Sequence, residues 1–168
     1  MDTKVQQKLS YKEESYQLLV KQAAALLSGE TDYIANAANL SALLFNNLEQ
    51  LNWAGFYFIK DEQLVLGPFQ GQVACVRIPL GKGVCGTAAA TGNIQRIDDV
   101  HQFAGHIACD AASNSEIVLP LLCNEKVIAV LDIDSPTIAR FDEIDQQYLA
   151  EIAAIYTRSS SLGAISGI

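Results

Sequence analysis

Helix-forming residues run without a break through YKEESYQLLVKQAAALLSG and stop against Gly29, which predicts a helix over residues 11–28. A second run, 32–48, spaces Ile34, Ala37, Leu40, Leu44 and Leu48 like one helical face, with Thr31 placed as its N-cap. The period then shortens. NWAGFYFIK, rich in aromatics and bounded by the turn KDEQ, reads as a strand, as do LVLGPF and VACVRIPL after it. GKGVCGTAAATG reads as a glycine-rich turn into a short Ala-rich helix ending at Gly92, and IQRID as a short strand. VHQFAGHIACDAAS has no clear period and predicts a loop with room for a helical turn. EIVLPLLC and KVIAVLDID are strands joined at Asn124-Glu125. A last helix, 143–158, is capped by Asp142 and carries Ile144, Tyr148, Ile152 and Ile155 on one stripe.

Two helices, three strands, a helix, three strands and a helix make an α+β order. Short turns between consecutive strands favour an antiparallel sheet, with the N- and C-terminal helices packed together on one face. The other face is left for the loop segment to fold over, and a ligand pocket is expected there. With no repeat, low-complexity tract or linker in 168 residues, one domain spanning 1–168 is expected. It comprises a helical segment 11–48, a sheet and pocket over 52–135, and the C-terminal helix 143–158.

Composition narrows the function. Half the residues are apolar and 18% charged, as in a compact globule. The net charge of −8, with no run of Lys or Arg, disfavours nucleic acid as a partner. The polar beginning, MDTKVQQKLSYKEES, does not read as a signal peptide, and no apolar run approaches the roughly 20 residues of a membrane helix. A cytoplasmic location with reduced thiols is therefore expected.

Three acids stand out because they sit in an apolar hairpin. Asp132 and Asp134 are two apart and leave the same face of their strand. A two-residue turn at Asn124-Glu125 would set Ser115 opposite Asp134 and Ile117 opposite Asp132, so that Glu116 faces away from both. Convergence of the three requires a bulge, for which Pro120 is a candidate because it cannot donate to the ladder, or a Glu116 that precedes the regular strand. If they converge, mutual repulsion raises at least one pKa, and a carboxylic acid held protonated in a pocket suits a general acid. The other carboxylates would suit a ligand's ammonium group.

Cys75, Cys85, Cys109 and Cys123 form no C-x-x-C pair. Cys85 opens the short helix beside Lys82, where both favour thiolate, so spacing alone nominates it as the most reactive. Backbone N–H groups around Gly81 and Gly83 suit a carboxylate, although the phosphate-loop spacing is absent. His101, His106 and Cys109 lack zinc-like spacing, so no metal is expected and the two histidines are read as hydrogen-bonded structural residues. Cys123 receives no role.

GKGVCG, DVHQFAGHIACDAASNSEIVLPL and VLDIDSP together resemble the free methionine-(R)-sulfoxide reductases, single GAF-domain proteins, over Trp53 to about Phe141. The resemblance implies a GAF-like fold and reduction of free methionine-(R)-sulfoxide without metal or organic cofactor. It also implies regeneration by thioredoxin and a homodimer, whose contact the N-terminal helices could supply. By position it makes Cys109 the nucleophile, Cys75 the thiol that resolves it, and Cys85 an auxiliary or alternative partner, which overrules the nomination by helix terminus. Glu116, Asp132 and Asp134 match the family's pocket acids, with Asp134 assigned as proton donor and Glu116 and Asp132 as the grip on the ammonium. Trp53 matches the wall against the S-methyl group, and Tyr57, on the same strand face, is expected to line the pocket.

Two rivals share these residues. One is a GAF sensor module that binds a small ligand without chemistry, although 168 residues leave no room for a fused output domain and three acids ill suit a phosphate. The other takes Cys75 and Cys109 as a structural or redox-sensing disulfide.

Overall fold

A computed structural model describes the backbone of residues 3–166 and the side chains of residues 11–165. Residues 1–2 and 167–168 of the expected domain span lie outside the described residues. Helix α1 (Thr3–Leu27) is followed by α2 (Tyr33–Asn47), β1 (Trp53–Lys60), β2 (Gln63–Gly71) and β3 (Arg77–Pro79). Then come α3 (Gly83–Thr91), β4 (Gln95–Ile97), a 3₁₀ turn (Val100–Gln102), β5 (Ser115–Cys123), β6 (Lys126–Ser135), α4 (Glu143–Ser159) and α5 (Gly163–Ser166). The strands form one antiparallel sheet in the order β3-β2-β1-β6-β5-β4.

Alternation along the central strands sends residues to two cores. Phe56 and Phe58 of β1, Leu119 of β5 and Leu131 of β6 pack under α1, α2 and α4. The opposite face, with Trp53, Tyr57, Val118 and Val130, packs under α3. Both hairpins turn on two residues with positive φ, Asp61-Glu62 and Asn124-Glu125. That backbone matches the twist of antiparallel strands even without glycine.

The structure corrects three details. Asp32 rather than Thr31 caps α2, its carboxylate accepting from the N–H groups of Ile34 and Ala35. Ile34, expected on the buried stripe, is 51% exposed, whereas Ala37, Leu40 and Leu44 are buried. The third strand shrinks to Arg77–Pro79, because residues 72–76 leave the regular ladder, with Val73 and Val76 exposed and Cys75 half-buried against the Trp53–Tyr57 core.

The described start of the chain is tied down by one buried acid. Asp145, fully buried, completes the capping box of Asp142 on α4. Its carboxylate also accepts from Tyr16 at 2.5 Å, Lys12 at 2.6 Å and Arg140 at 3.0 Å, joining α1 to α4. No helix among the described residues is long and apolar enough to cross a membrane.

Candidate active site

Glu116 reaches the face of Asp132 and Asp134 through a bulge. Next to the turn the pairs are Cys123↔Lys126 and Leu122↔Val127, but Leu121 pairs with Ala129, so Ile128 is an extra residue on β6. Beyond it the register moves by one, and Glu116 pairs with Asp134 and Val118 with Asp132. The bulge lies on the strand opposite the expected Pro120, which pairs regularly with Val130. One row across the sheet then reads Trp53, Asp134, Glu116, Ile97, and the next Gly55, Asp132, Val118. Gly55 is required: a Cβ there would overlap Phe69 Cβ and stand 2.7 Å from the Trp53 ring.

The acids floor a pocket walled by Trp53, Tyr57, Cys85 and Cys109, with Lys82, Gly83, Val84 and His106 closer to α3 and the loop segment. Trp53 stacks on Tyr57 and on Phe69, at 5.8 and 5.2 Å between ring centres. The polar ends of the two wall residues hold the Cys75 segment, as Trp53 Nε1 donates to Gln72 O at 3.1 Å and the Tyr57 hydroxyl to Cys75 O at 2.9 Å. Cys75 and Cys109 are joined by a disulfide with Cα atoms 5.2 Å apart. Gly83, at φ +62°, leaves room for Ile107 of the Cys109 loop, which a Cβ would meet at 3.2 Å.

Electrostatics set the acids apart. Burial, with the charges of Asp132 and Asp134, pushes Glu116 well above the usual carboxylate range. Asp134, half-buried, is raised by burial and then by Asp132 and Asp110. Burial pushes Asp132 up to about 6, against hydrogen bonds from Glu116 and Cys85. The cluster therefore holds protons at neutral pH, and Asp132 Oδ1 is buried without a hydrogen-bond partner. An orphaned carboxylate oxygen costs free energy unless a donor reaches it.

Cys85 is buried and its thiol lies 3.7 Å from Glu116 Oε1. Burial, followed by the charges of Asp132 and Glu116, raises its pKa well above the ordinary thiol value, so burial and the nearby acids together outweigh the helix terminus that pointed to it in sequence. Cys85, Glu116 and Asp132 present ligand atoms within 4.8 Å of one another. The protons that Cys85 and Glu116 hold oppose a cation, which needs deprotonated ligands.

Of the two histidines, His101 is hydrogen-bonded as expected, to Asn114 Oδ1 at 2.8 Å. His106 instead reaches the pocket, and its pKa is lowered by burial and by His101. Sequence reasoning also passed over Asn52, Asp110 and Ser113, which meet beside the pocket. Polar residues in a loop and ahead of a strand carry no periodic signal, so only their adjacency to Trp53 and Cys109 hinted at them.

A family model described as GAF domain matches residues 35–158. Protein YtsP of Bacillus subtilis is 64% identical over 144 residues, covering 84% of this chain and 88% of that one. The free methionine-R-sulfoxide reductase of Escherichia coli is 58% identical over 143 residues, covering 85% and 87%. The structure of fRMsr of Staphylococcus aureus in complex with substrate is 53% identical with a TM-score of 0.83, covering 86% of this chain and 94% of that one.

Proposed function

Since the chain belongs to the free methionine-R-sulfoxide reductase family of GAF-domain proteins, we propose that it reduces free methionine-(R)-sulfoxide to methionine in the pocket between Trp53 and the three acids. The observation that carries this reading is a pocket walled by Cys109, itself bonded to Cys75, over three carboxyl groups, of which Glu116 and Asp134 hold their protons at neutral pH while Asp132, raised only to about 6, is largely ionised. A sulfoxide sulfur is a poor electrophile until its oxygen receives a proton. Asp134, facing Trp53 across the sheet, is our proton donor, and Glu116 is raised in the same sense.

Cys109 sulfur attacks the substrate sulfur as the S–O oxygen takes the proton. The hydroxyl then passes to Cys109, the sulfide leaves as methionine, and Cys109 is left as a sulfenic acid. Cys75 sulfur displaces that hydroxyl, which departs as water with the Cys75 proton, and the disulfide forms. A dithiol reductant returns both thiols, and thioredoxin is the partner we assign. Val73 and Val76, 85% and 63% exposed beside Cys75, offer it an apolar landing. Cys85, buried and protonated, is an auxiliary thiol that takes no first step.

Asp132, whose Oδ1 lacks a partner, receives the substrate ammonium together with Glu116. The substrate carboxylate lies against the first turn of α3, which has no side-chain cap, with Lys82 beside it. Both contacts need free amino-acid termini, so peptide-bound methionine sulfoxide is excluded. No metal or organic cofactor takes part. A homodimer is supported by Tyr11, Leu18 and Leu26, which α1 leaves 74%, 57% and 41% exposed at near-heptad spacing. Cytoplasmic reducing conditions fit the scheme.

The reading is tested by supplying free methionine-(R)-sulfoxide with dithiothreitol and measuring methionine. Wild-type protein turns over and Cys109→Ser does not. No turnover by wild type favours a sensor module, and turnover by Cys109→Ser overturns the nucleophile.

A further inference from the structure

Cys109 attacks only if its segment stays on the pocket after the disulfide opens. The far end of that segment is well anchored: Asn114 N–H donates to Ser135 O at 2.8 Å, Asn114 Nδ2 to Pro136 O at 2.8 Å, and Val100 N–H to Asn114 O at 3.0 Å. Between Phe103 and Cys109 the backbone bonds are local, from His106 N–H to Phe103 O and from Cys109 N–H to Ile107 O. In the oxidised protein the bond to Cys75 supplies the missing tie. Reduction removes it at the moment the nucleophile is needed.

Asn52 stands where that tie could be replaced. Its backbone N–H donates to Asp134 O at 3.1 Å, fixing it to the end of β6. Its side-chain nitrogen spends both hydrogens on the loop, donating to Asp110 Oδ2 at 3.0 Å and to Ser113 Oγ at 3.0 Å. Asp110 in turn caps its own turn, accepting from Ala112 N–H at 2.9 Å, while Ser113 N–H donates to Asp110 O. Asn52 Oδ1 is left buried with no partner. An unpaired buried carbonyl is costly, so the side chain is oriented for its two donors at the expense of its acceptor.

Resting on the reductase reading above, we infer that Asn52 is a positioning residue that holds the Cys109 loop on the pocket through Asp110 while the thiols are reduced. It touches neither substrate nor sulfur, and acts by keeping Cys109, one residue from Asp110, within reach of the substrate. A nucleophile displaced by about 1 Å reacts on the order of 100-fold more slowly.

The test uses the fully reduced chain, mixed rapidly with free methionine-(R)-sulfoxide, and follows methionine release in the first turnover. Asn52→Ala and Asn52→Asp each slow that step by about 10- to 100-fold. Substrate affinity, measured with Cys109→Ser added, changes by less than about threefold, because the pocket acids are untouched. The double variant Asn52→Asp with Asp110→Asn reverses donor and acceptor at unchanged net charge. It restores the first-turnover rate to within about threefold of wild type, which loss of folding or a general packing role does not predict. A swapped pair as slow as Asn52→Asp, or a single variant at the wild-type rate, overturns the inference and leaves the reductase reading intact. Wild-type protein that releases no methionine overturns both. Should Asn52→Ala fail to fold, the near-isosteric Asn52→Asp and its swap carry the test.

Discussion

Replacing Asp132 by Asn separates what this carboxyl does for the substrate from what it costs the fold. The buried group folds with its pKa raised from an ordinary 3.8 to about 6. The folded state therefore binds more protons than the unfolded one between those values. The stability this group contributes is fully present below about pH 4 and is lost as pH rises through 6. At about 1.4 kcal/mol per pH unit, the loss between pH 4 and pH 8 is about 3 kcal/mol. The Asp132→Asn variant, whose amide does not titrate, escapes that loss. Glu116 also titrates more easily beside a neutral neighbour, since the Asp132 charge is among the causes of its raised pKa, and this adds in the same direction. Urea unfolding at pH 4, 6 and 8 is the assay. The stability of Asp132→Asn relative to wild type should rise by about 3 kcal/mol across that range, or roughly 6–12 °C in Tm for a domain of this size. Above about pH 6, where the wild-type Asp132 is ionised, catalysis suffers, because removing one partner of a buried charged contact costs about 2–5 kcal/mol of binding, so KM rises by about 30-fold or more. Parallel pH curves for the two proteins would refute the buried, pH-strained acid and with it the reason for the cluster.

Other substitutions test separate parts of the account. Asp145→Ala leaves Tyr16 and Arg140 without their buried acceptor and should cost about 3–5 kcal/mol in urea unfolding, releasing α1 from α4. Gly55→Ala drives a methyl into Phe69 and the Trp53 ring, so stability should fall by about 1–3 kcal/mol and the Trp53 emission should shift. In the reduced native protein, iodoacetamide should label Cys85 at least about tenfold more slowly than Cys109, since burial and acids suppress its thiolate. Equal labelling would show an accessible Cys85 able to act first.

The helices, hairpins and two-faced sheet were readable because each rests on local rules: the stops at Gly29 and Gly92, the cap at Asp142, and the alternation that splits β1 into Phe56 and Tyr57 faces. The register of Glu116 was not. A turn at Asn124-Glu125 fixes the first pairs, but the bulge at Ile128 depends on packing that pairing arithmetic does not contain. Cys85 shows a similar limit. Its place at a helix start is local, whereas its burial and its contact with Asp132 and Glu116 arise only in the folded sheet and reverse its reactivity. Asp32 displaced Thr31 as a cap by a single residue, a difference between two suitable side chains that only the backbone decides.

In the proposed cycle Cys109 attacks the substrate and Cys75 completes the turnover within one chain. One equivalent of free methionine-(R)-sulfoxide added to fully reduced protein, without further reductant, followed by peptide mapping, tests this most directly. One methionine should be released per chain, with a new bond joining Cys75 to Cys109. Methionine released with those two thiols still free, or with the new bond at Cys85 and Cys123, would contradict it.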